Sequence, residues 1–251
     1  MAVKKAETEI VIPPLHRGEI KLRIIGQTPM FQNRMAAKAK QTLIVGGRKK
    51  TAADKAKIKH SPLDEYRDSM ERLPGDDPTC LGLRVVALKA AMCTAALETA
   101  GITKMSAQRL LFMPGDLVPL YGTPMLRMDV VRSADINKTP DVRTRAFIPR
   151  WGAEVAIQHI LPQLPTSSVV TLAANAGILV GIGDFRQEKG KGAFGSFRVL
   201  GPGQQDDEWD DLVANHGAAA QMKAIEEPEF ADADTADLME FFHAEYSRRA
   251  A

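Results

Sequence analysis

Glycine and basic residues are interleaved between Gly177 and Val199, where six of the 23 positions are glycine. Glycine takes positive φ angles without strain and lets a backbone approach a bulky partner closely, and consecutive exposed N–H groups form an anion-binding cavity. The pattern predicts a loop that holds a phosphate backbone, and a β-hairpin tip without a ligand is the alternative. The predicted nucleic-acid contacts of this region are Gly181, Gly183, Phe185, Arg186, Lys189, Gly190, Lys191, Gly192, Gly195 and Arg198.

Two familiar phosphate-binding motifs do not fit this loop. The spacing Gly190-x-Gly192-x-x-Gly195 matches a dinucleotide fingerprint, but that fingerprint needs a helix directly after it. Here an alternating strand pattern follows, from Phe194 to Leu200. A P-loop needs Ser or Thr after Gly-Lys, and Gly192 stands there instead. The loop is therefore expected to work without a dinucleotide or nucleotide cofactor.

A second basic segment lies in residues 30–80, which show weak periodicity. Between Arg34 and His60 there are nine Lys or Arg residues and one acid, Asp54. A long stretch of this kind inside a compact domain is typical of a functional insertion, and a plain mobile loop is the alternative. We expect the insertion to close over a bound strand, with contacts from Arg34, Arg48, Lys49 and Lys50.

The net charge of +2 hides a strong asymmetry. Residues 1–205 carry 30 basic and 18 acidic residues, a net of +12, whereas residues 206–251 carry 3 basic and 13 acidic residues, a net of −10. A basic body with an acidic tail is typical of a nucleic-acid-binding protein. The tail either competes with phosphates for the basic body or packs on it as structure, through Leu238, Phe241, Phe242 and Tyr246.

The remaining composition excludes several classes. Two cysteines, Cys80 and Cys93, form no disulfide framework, which favours the cytoplasm. No apolar run is long enough for a membrane span. The five histidines never fall at metal-ligand spacing, so a metal site is not predicted. No other cofactor is predicted either. His16 has no recognisable partner in the sequence, so catalytic residues are not predicted either.

The elements that position these residues are those of an α+β protein. Alternation predicts strands at 19–25, 110–113, 117–121, 125–132 and 194–200, and at 142–149 and 153–160 a strand pair or one bulged strand. Ala-rich and capped segments predict helices at 84–99 and 167–176. Without the insertion, this order gives a βαββαβ core, ferredoxin-like or RNA-recognition-motif-like, in residues 1–203. Helices at 209–225 and 235–249 form an acidic tail at 204–251.

This order resembles the RAMP superfamily of CRISPR-associated proteins, and within it the subunit that polymerises along guide RNA. Three segments carry the resemblance over residues 18–200: Gly26-Gln27-Thr28-Pro29-Met30 after the first strand, Val85 to Ala91 with Lys89 in the first helix, and the glycine loop. The pattern G-I-G-D-F-R-x-E-K…F-G-x-F is also similar to uncharacterised phage-encoded proteins.

The resemblance implies a protein that binds single-stranded nucleic acid, with RNA favoured over DNA, and assembles head to tail as a homo-oligomer. It implies further contacts at Gln27, Thr28 and Lys89. Cleaving members carry an aspartate after the first strand, whereas no acid lies between Gln27 and Asn33 here. We therefore expect binding without cleavage. A metal-independent RAMP-type endoribonuclease and a protein decoy that docks on an effector complex are the alternatives.

Overall fold

The structure, a computed structural model, describes residues 13–36, 40–41, 43–44, 58–74, 77–132, 140–189 and 192–250, with only the backbone of residues 189 and 250. Its strands are β1 His16–Gly26, β2 Met30–Gln32, β3 Gly82–Arg84, β4 Leu111–Phe112, β5 Leu117–Tyr121, β6 Met125–Arg132, β7 Pro140–Ile148, β8 Gly152–Leu161 and β9 Phe197–Leu200. Its helices are α1 Pro62–Asp68, α2 Val85–Ala95, α3 Lys104–Leu110, α4 Thr166–Leu179, α5 Asp207–Asn215, α6 Ala218–Glu226 and α7 Ala233–Ala250. The protein is therefore of the α+β class, as predicted.

The main sheet is antiparallel and has the strand order β3-β5-β8-β1-β9, with β4 added beside β8. Its centre is the long pair of β1 with β8, in which Ile20 faces Ile157 and Leu22 faces Val155. Side chains alternate between the two faces of a strand. Leu22 and Ile24 therefore point to the same side, and both are fully buried.

Helices α2 and α4 pack together against this buried face. The small residues of α2 and α4 allow a close approach, so that Leu88, Val169 and Ala173 reach the same core as Leu22. The closest approach lies at Gly177, where a Cβ atom would stand 2.0 Å from the carbonyl oxygen of Phe197. Helix α4 thus lies with its backbone directly against β9.

A second antiparallel sheet has the order β2-β7-β6. The predicted insertion supplies two of the parts that hold it together. Met30 to Gln32 form β2, and α1 buries Tyr66 completely and is followed by the equally buried Met70. The ends of the insertion are therefore structural, whereas its centre, including Arg48, Lys49 and Lys50, lies outside the described residues.

The three C-terminal helices pack on the body. In α5, Trp209 and Leu212 cover Ile25 and Leu200 on the face of the main sheet opposite to α2 and α4. In α6, the fully buried Gln221 bonds to the backbone of β5 and of residues 80–81. After α6, Phe230 bridges to Leu126 in β6.

Helix α7 is the least covered of these helices. Met239 is buried and Leu238 packs on the core, but Phe241 and Tyr246 are exposed. Of the apolar residues expected to bury this helix, Leu238 therefore makes the contact and Phe241 and Tyr246 do not. Phe242 is partly buried, and its ring lies 6.1 Å from that of Tyr246 in the same helix. None of the described helices has the length and apolarity that crossing a membrane requires.

Four differences between the predicted and the observed elements have local physical reasons. Thr103 caps α3, accepting a hydrogen bond from Ser106 N at 3.1 Å, so the strand predicted at 110–113 shrinks to β4. The last strand begins at Phe197 rather than Phe194, because Gly195 has a φ of +74°. The predicted helix 209–225 is divided at Gly217, whose backbone is extended. Residues 142–160 form two strands in different sheets, separated at the fully buried Trp151.

Candidate nucleic-acid interface

The glycine loop follows α4 and returns to the main sheet at β9. Gly181, Gly183 and Gly195 have φ angles of +75°, +96° and +74°, a region that side chains rarely adopt. A Cβ atom at Gly195 would stand 1.7 Å from the carbonyl oxygen of Ile182, and one at Gly183 would stand 2.7 Å from that of Phe31. These glycines therefore allow separate segments of the protein's own backbone to lie in contact with each other.

Backbone hydrogen bonds fix the loop to the segment after β1. Ile182 N donates to Gly195 O at 2.8 Å, and Gly195 N donates to Pro29 O at 2.8 Å. Ser196 N donates to the hydroxyl of Thr28 at 3.0 Å, and Gln27 N donates to Ser196 O at 2.8 Å. Thr28 thus uses its side chain inside the protein, while the side chain of Gln27 is exposed.

Phe185 is the unusual residue of the loop. It has a φ of +53°, and no other described residue except glycine has a positive φ. A bulky residue in this region is a genuine outlier, and such strain costs about 1–3 kcal/mol. The residue remains 45% exposed. Gly192 lies against it, because a Cβ atom there would stand 1.7 Å from the Phe185 carbonyl oxygen.

Under Phe185 lies an aromatic cluster. The ring of Phe194 is 6.0 Å from that of Phe185 and 4.9 Å from that of the buried Phe31, which in turn is 5.2 Å from Phe147. The guanidinium of Arg127 lies 5.2–5.9 Å from the rings of Phe31, Phe147 and Phe194. Phe197 and Trp151, the other aromatic residues near the loop in sequence, are fully buried in the core.

Arg145 connects the second sheet with the loop. Its side chain is 5% exposed and forms ion pairs with Asp129 at 2.7 Å and with Asp184 at 2.9 Å. Burial raises the pKa of Asp184, but hydrogen bonds from Arg145 and Asn33 and the Arg145 charge outweigh it, so the pKa is lowered. Asp184 is therefore ionised at neutral pH, and its bonds to Arg145 and Asn33 fix the residue directly before Phe185.

The cations predicted in the loop already have acidic partners where the structure describes them. Arg186 forms an ion pair with Glu188 at 2.7 Å and donates to Gly183 O at 3.2 Å. Arg198 binds Asp206 and Glu208. The backbone of Lys189 lies in the 3-10 turn Gln187–Lys189, while Gly190 and Lys191 lie outside the described residues. Phosphate contacts by Arg186 or Arg198 would thus compete with carboxylates.

A groove beside the N-terminus of α2 brings together other predicted residues. We call it the α2 groove. It consists of three adjoining clefts of about 440, 440 and 480 Å³. The first two share Asn33, Arg34 and Met35, and the last two share Glu71 and Arg84. Arg34, Gly183 and Lys89 line it, so the structure places these three predicted residues on one surface.

Most acidic side chains of the α2 groove have basic partners. Glu71 binds Arg84 at 2.5 Å and Arg34 at 3.5 Å. Asp184 is bound to Arg145, and His60 contacts Glu65 and Asp141 at 2.7 and 3.1 Å. Among the described residues, the groove cations Lys40, Lys89 and Arg143 form no ion pair, and neither does Asp116. The groove therefore presents available positive charge along its length.

Among the groove residues that were not predicted from the sequence are Glu71, Arg84, Arg143 and Phe112. Arg84 directly precedes α2, and Phe112 is the last residue of β4, so both belong to segments in which the sequence predicted a helix or a strand. Glu71 and Arg143 carry no signal in sequence, because only the packing of α1 beside β7 brings them to the groove.

Catalytic and metal-binding constellations are sparse in the described part of the chain. No group of three or more His, Cys, Asp or Glu residues among the described residues could hold a metal ion. His16 is exposed at the start of β1, and no hydrogen bond joins its side chain to a described residue. His159 is buried and bonds to Leu164 O at 2.7 Å, a structural role beside α4.

No protein-family description matches this chain, and no curated protein is significantly similar to it.

Proposed function

We propose that the protein binds a single-stranded nucleic acid along the α2 groove and does not cleave it. The observation that carries this proposal is the position of the basic insertion. Arg34 and His60, which flank its central part, line the same cleft of the groove. The segment between them contains Lys38, Lys40, Arg48, Lys49, Lys50, Lys55, Lys57 and Lys59 and one acid, Asp54. The densest positive charge of the chain is therefore tethered at both ends to this groove.

The lining of the groove supports a single strand rather than a duplex. Met35, Val86 and Phe112 lie along it, and each is at least half exposed. Apolar and aromatic side chains contact the faces of unstacked bases, whereas the bases of a duplex are stacked and inaccessible. Cations between such residues bind the phosphates of the same strand. RNA is favoured over DNA on the resemblance alone.

The strand order supports a ferredoxin-like core and the RAMP relationship as parts of the same proposal. Strands β9, β1, β8 and β5 lie side by side in an antiparallel sheet, and α2 and α4 pack on one face. A βαββαβ unit with its fourth strand next to its first has this order. Strands β6 and β7 would then be an insertion between its second and third strands.

The test is the salt dependence of binding. Affinity for oligouridylate is measured by fluorescence anisotropy over a range of salt concentrations. Each lost phosphate contact lowers the slope of log affinity against log salt by about 0.7 for single strands. The triple variant Lys40→Ala/Lys89→Ala/Arg143→Ala should therefore bind more weakly, with a slope lower by about 2.

The control variant removes equal charge elsewhere. Lys21, Arg109 and Lys223 are also cations without an ion pair among the described residues, and none lines the groove. Replacing these three by alanine should leave the slope of the wild type nearly unchanged. Equal losses in both triple variants would show that binding is non-specific and would overturn the groove assignment. Cleavage of the labelled strand that disappears in His16→Ala would instead favour the endoribonuclease.

A further inference from the structure

We infer that Phe185 is a stacking platform for one unpaired base of the bound strand. The inference rests on the proposed function and deepens it, because it assigns the contact that distinguishes a base-bearing strand from any other polyanion. The observations are the strained backbone of Phe185, the exposure of the residue and the way in which its neighbours are fixed.

The backbone on both sides of Phe185 is held by the rest of the protein. Asp184 bridges to Phe31 in β2, and Arg186 bridges to Phe194. The Phe185 carbonyl oxygen faces Gly192 so closely that no Cβ atom fits there. The left-handed conformation is thus imposed by the surroundings, and glycine would adopt it without strain.

A phenylalanine in this conformation gains little for folding. Its ring touches Phe194 at a centroid distance of 6.0 Å with an interplanar angle of 33°, but the residue is 45% exposed. The other members of the aromatic cluster, Phe31 and Phe147, lie behind Phe194. The cluster therefore supports one side of the Phe185 ring and leaves aromatic surface open to a ligand.

The surroundings identify the ligand as part of a polyanion. A cation of the adjoining cleft, Lys40, forms no ion pair with a described residue. Gly183 and Asp184, directly before the platform, line the α2 groove. A base that stacks on Phe185 would have its strand continuing into the groove, where Lys40 lies in the same cleft as Gly183 and Asp184 and can contact its phosphates. Aromatic stacking of this kind accepts every base, since each has a π face.

The test compares an intact strand with an abasic one of equal length. Oligouridylate and an abasic oligomer with the same phosphates are titrated into the wild type, Phe185→Gly and Phe185→Tyr. We expect the preference of the wild type for the intact strand to fall about tenfold in Phe185→Gly. This loss lies within the range found when the stacking partner of one base is removed. Phe185→Tyr should keep the preference, because its ring has the same faces.

Stability separates this role from a packing role. Phe185→Gly removes the strain, so its melting temperature should be unchanged or higher while its base preference is lost. Phe241→Ala, which removes another exposed phenylalanine, should change neither binding nor preference. A lower melting temperature of Phe185→Gly with an unchanged preference would overturn the inference. If the wild type binds intact and abasic strands equally, only the platform fails; if it binds neither, the proposed function fails as well.

Discussion

The guanidinium of Arg198 holds the carboxylate of Asp206 through two hydrogen bonds, of 2.7 and 2.9 Å. Asp206 also caps α5, accepting from Glu208 N and Trp209 N at 3.1 Å each. A residue of the last strand thus fixes the first helix of the acidic tail. Part of the charge asymmetry of the chain is used in this way, since Arg150 likewise binds Asp211 at 2.8 Å and Arg127 binds Asp232 at 3.4 Å.

We expect Arg198→Ala to lower the melting temperature and to leave the affinity for oligouridylate unchanged. The side chain is engaged by Asp206 and Glu208, so its removal frees acidic groups rather than removing a phosphate contact. Lys223→Ala, with the same loss of charge, should change neither quantity. A large loss of affinity in Arg198→Ala at unchanged stability would show that Arg198 contacts the nucleic acid.

The same pair predicts a pH dependence of stability. The hydrogen bond from Arg198 lowers the pKa of Asp206 below its ordinary range. A carboxyl group with a lowered pKa in the folded state stabilises that state above its unfolded pKa, and the contribution is lost as the pH falls through the folded value. The melting-temperature difference between wild type and Arg198→Ala should therefore be largest at neutral pH and shrink below about pH 4. A difference that stays constant across this range would contradict the ion pair.

Two glycines form a matched pair that separates steric clash from backbone strain. Gly195 and Gly203 have φ angles of +74° and +73°, but a Cβ atom meets nothing within 4 Å at Gly203 and a carbonyl oxygen at 1.7 Å at Gly195. Gly203→Ala should cost only the left-handed strain, about 1–2 kcal/mol. Gly195→Ala should cost more than about 4 kcal/mol, since the backbone must move. Urea unfolding of both variants measures the difference, and equal losses would show that the loop is not closed at Ile182.

Gln221 is expected to be the most sensitive polar residue of the tail. Its amide oxygen accepts from Cys80 N at 2.9 Å and Leu81 N at 3.0 Å, and its amide nitrogen donates to Leu120 O at 2.7 Å. Gln221→Ala leaves these buried groups unpaired and should lower the free energy of unfolding by at least about 2 kcal/mol. Gln221→Glu should cost more, because a carboxylate would face carbonyl oxygens. Gln163→Ala, an exposed position, serves as the control.

Removal of the acidic tail after Gly203 should destroy the folded state rather than tighten binding. It would expose Ile25 and Leu200 and remove the contacts of Trp209 and Leu212. A shorter truncation after His243 removes only the last turns of α7, whose side chains are mostly exposed, and should preserve stability. A folded 1–203 fragment that binds oligouridylate more tightly at low salt would instead support competition between the tail and phosphates.

The sequence predicted those elements whose patterns are local. Alternation around Leu22 and Ile24 and the Ala-rich run after Val85 were sufficient for β1 and α2. It did not predict that β7 and β8 enter different sheets, because this depends on Trp151. The indole of Trp151 donates to Thr28 O at 2.9 Å, a residue 123 positions away. Contacts at that separation leave no periodic signal.

The candidate site was predictable in composition rather than in geometry. The glycines of the loop predicted that the backbone would approach a partner closely. Gly181, Gly183 and Gly195 do allow a close approach, but the groups that they approach are the protein's own carbonyl oxygens. Likewise, Arg186 and Arg198 were recognised as cations, while their partners Glu188 and Asp206 could not be assigned from spacing. Whether a side chain is available to a ligand is a property of its neighbours in space.

Residues 229–231, which follow α6, have a consequence for the nascent polypeptide. Leu126 N donates to Glu229 O at 2.8 Å and Ala231 N donates to Leu126 O at 3.0 Å, so residues 229–231 pair with the start of β6 at its outer edge. The chain is synthesised from its N-terminus at about 5–20 residues per second. Strand β6 is made about a hundred residues before its cover, and until then its edge offers unpaired backbone groups to other chains. Translation that stalls after β9 would thus release a nascent chain prone to aggregate through this edge.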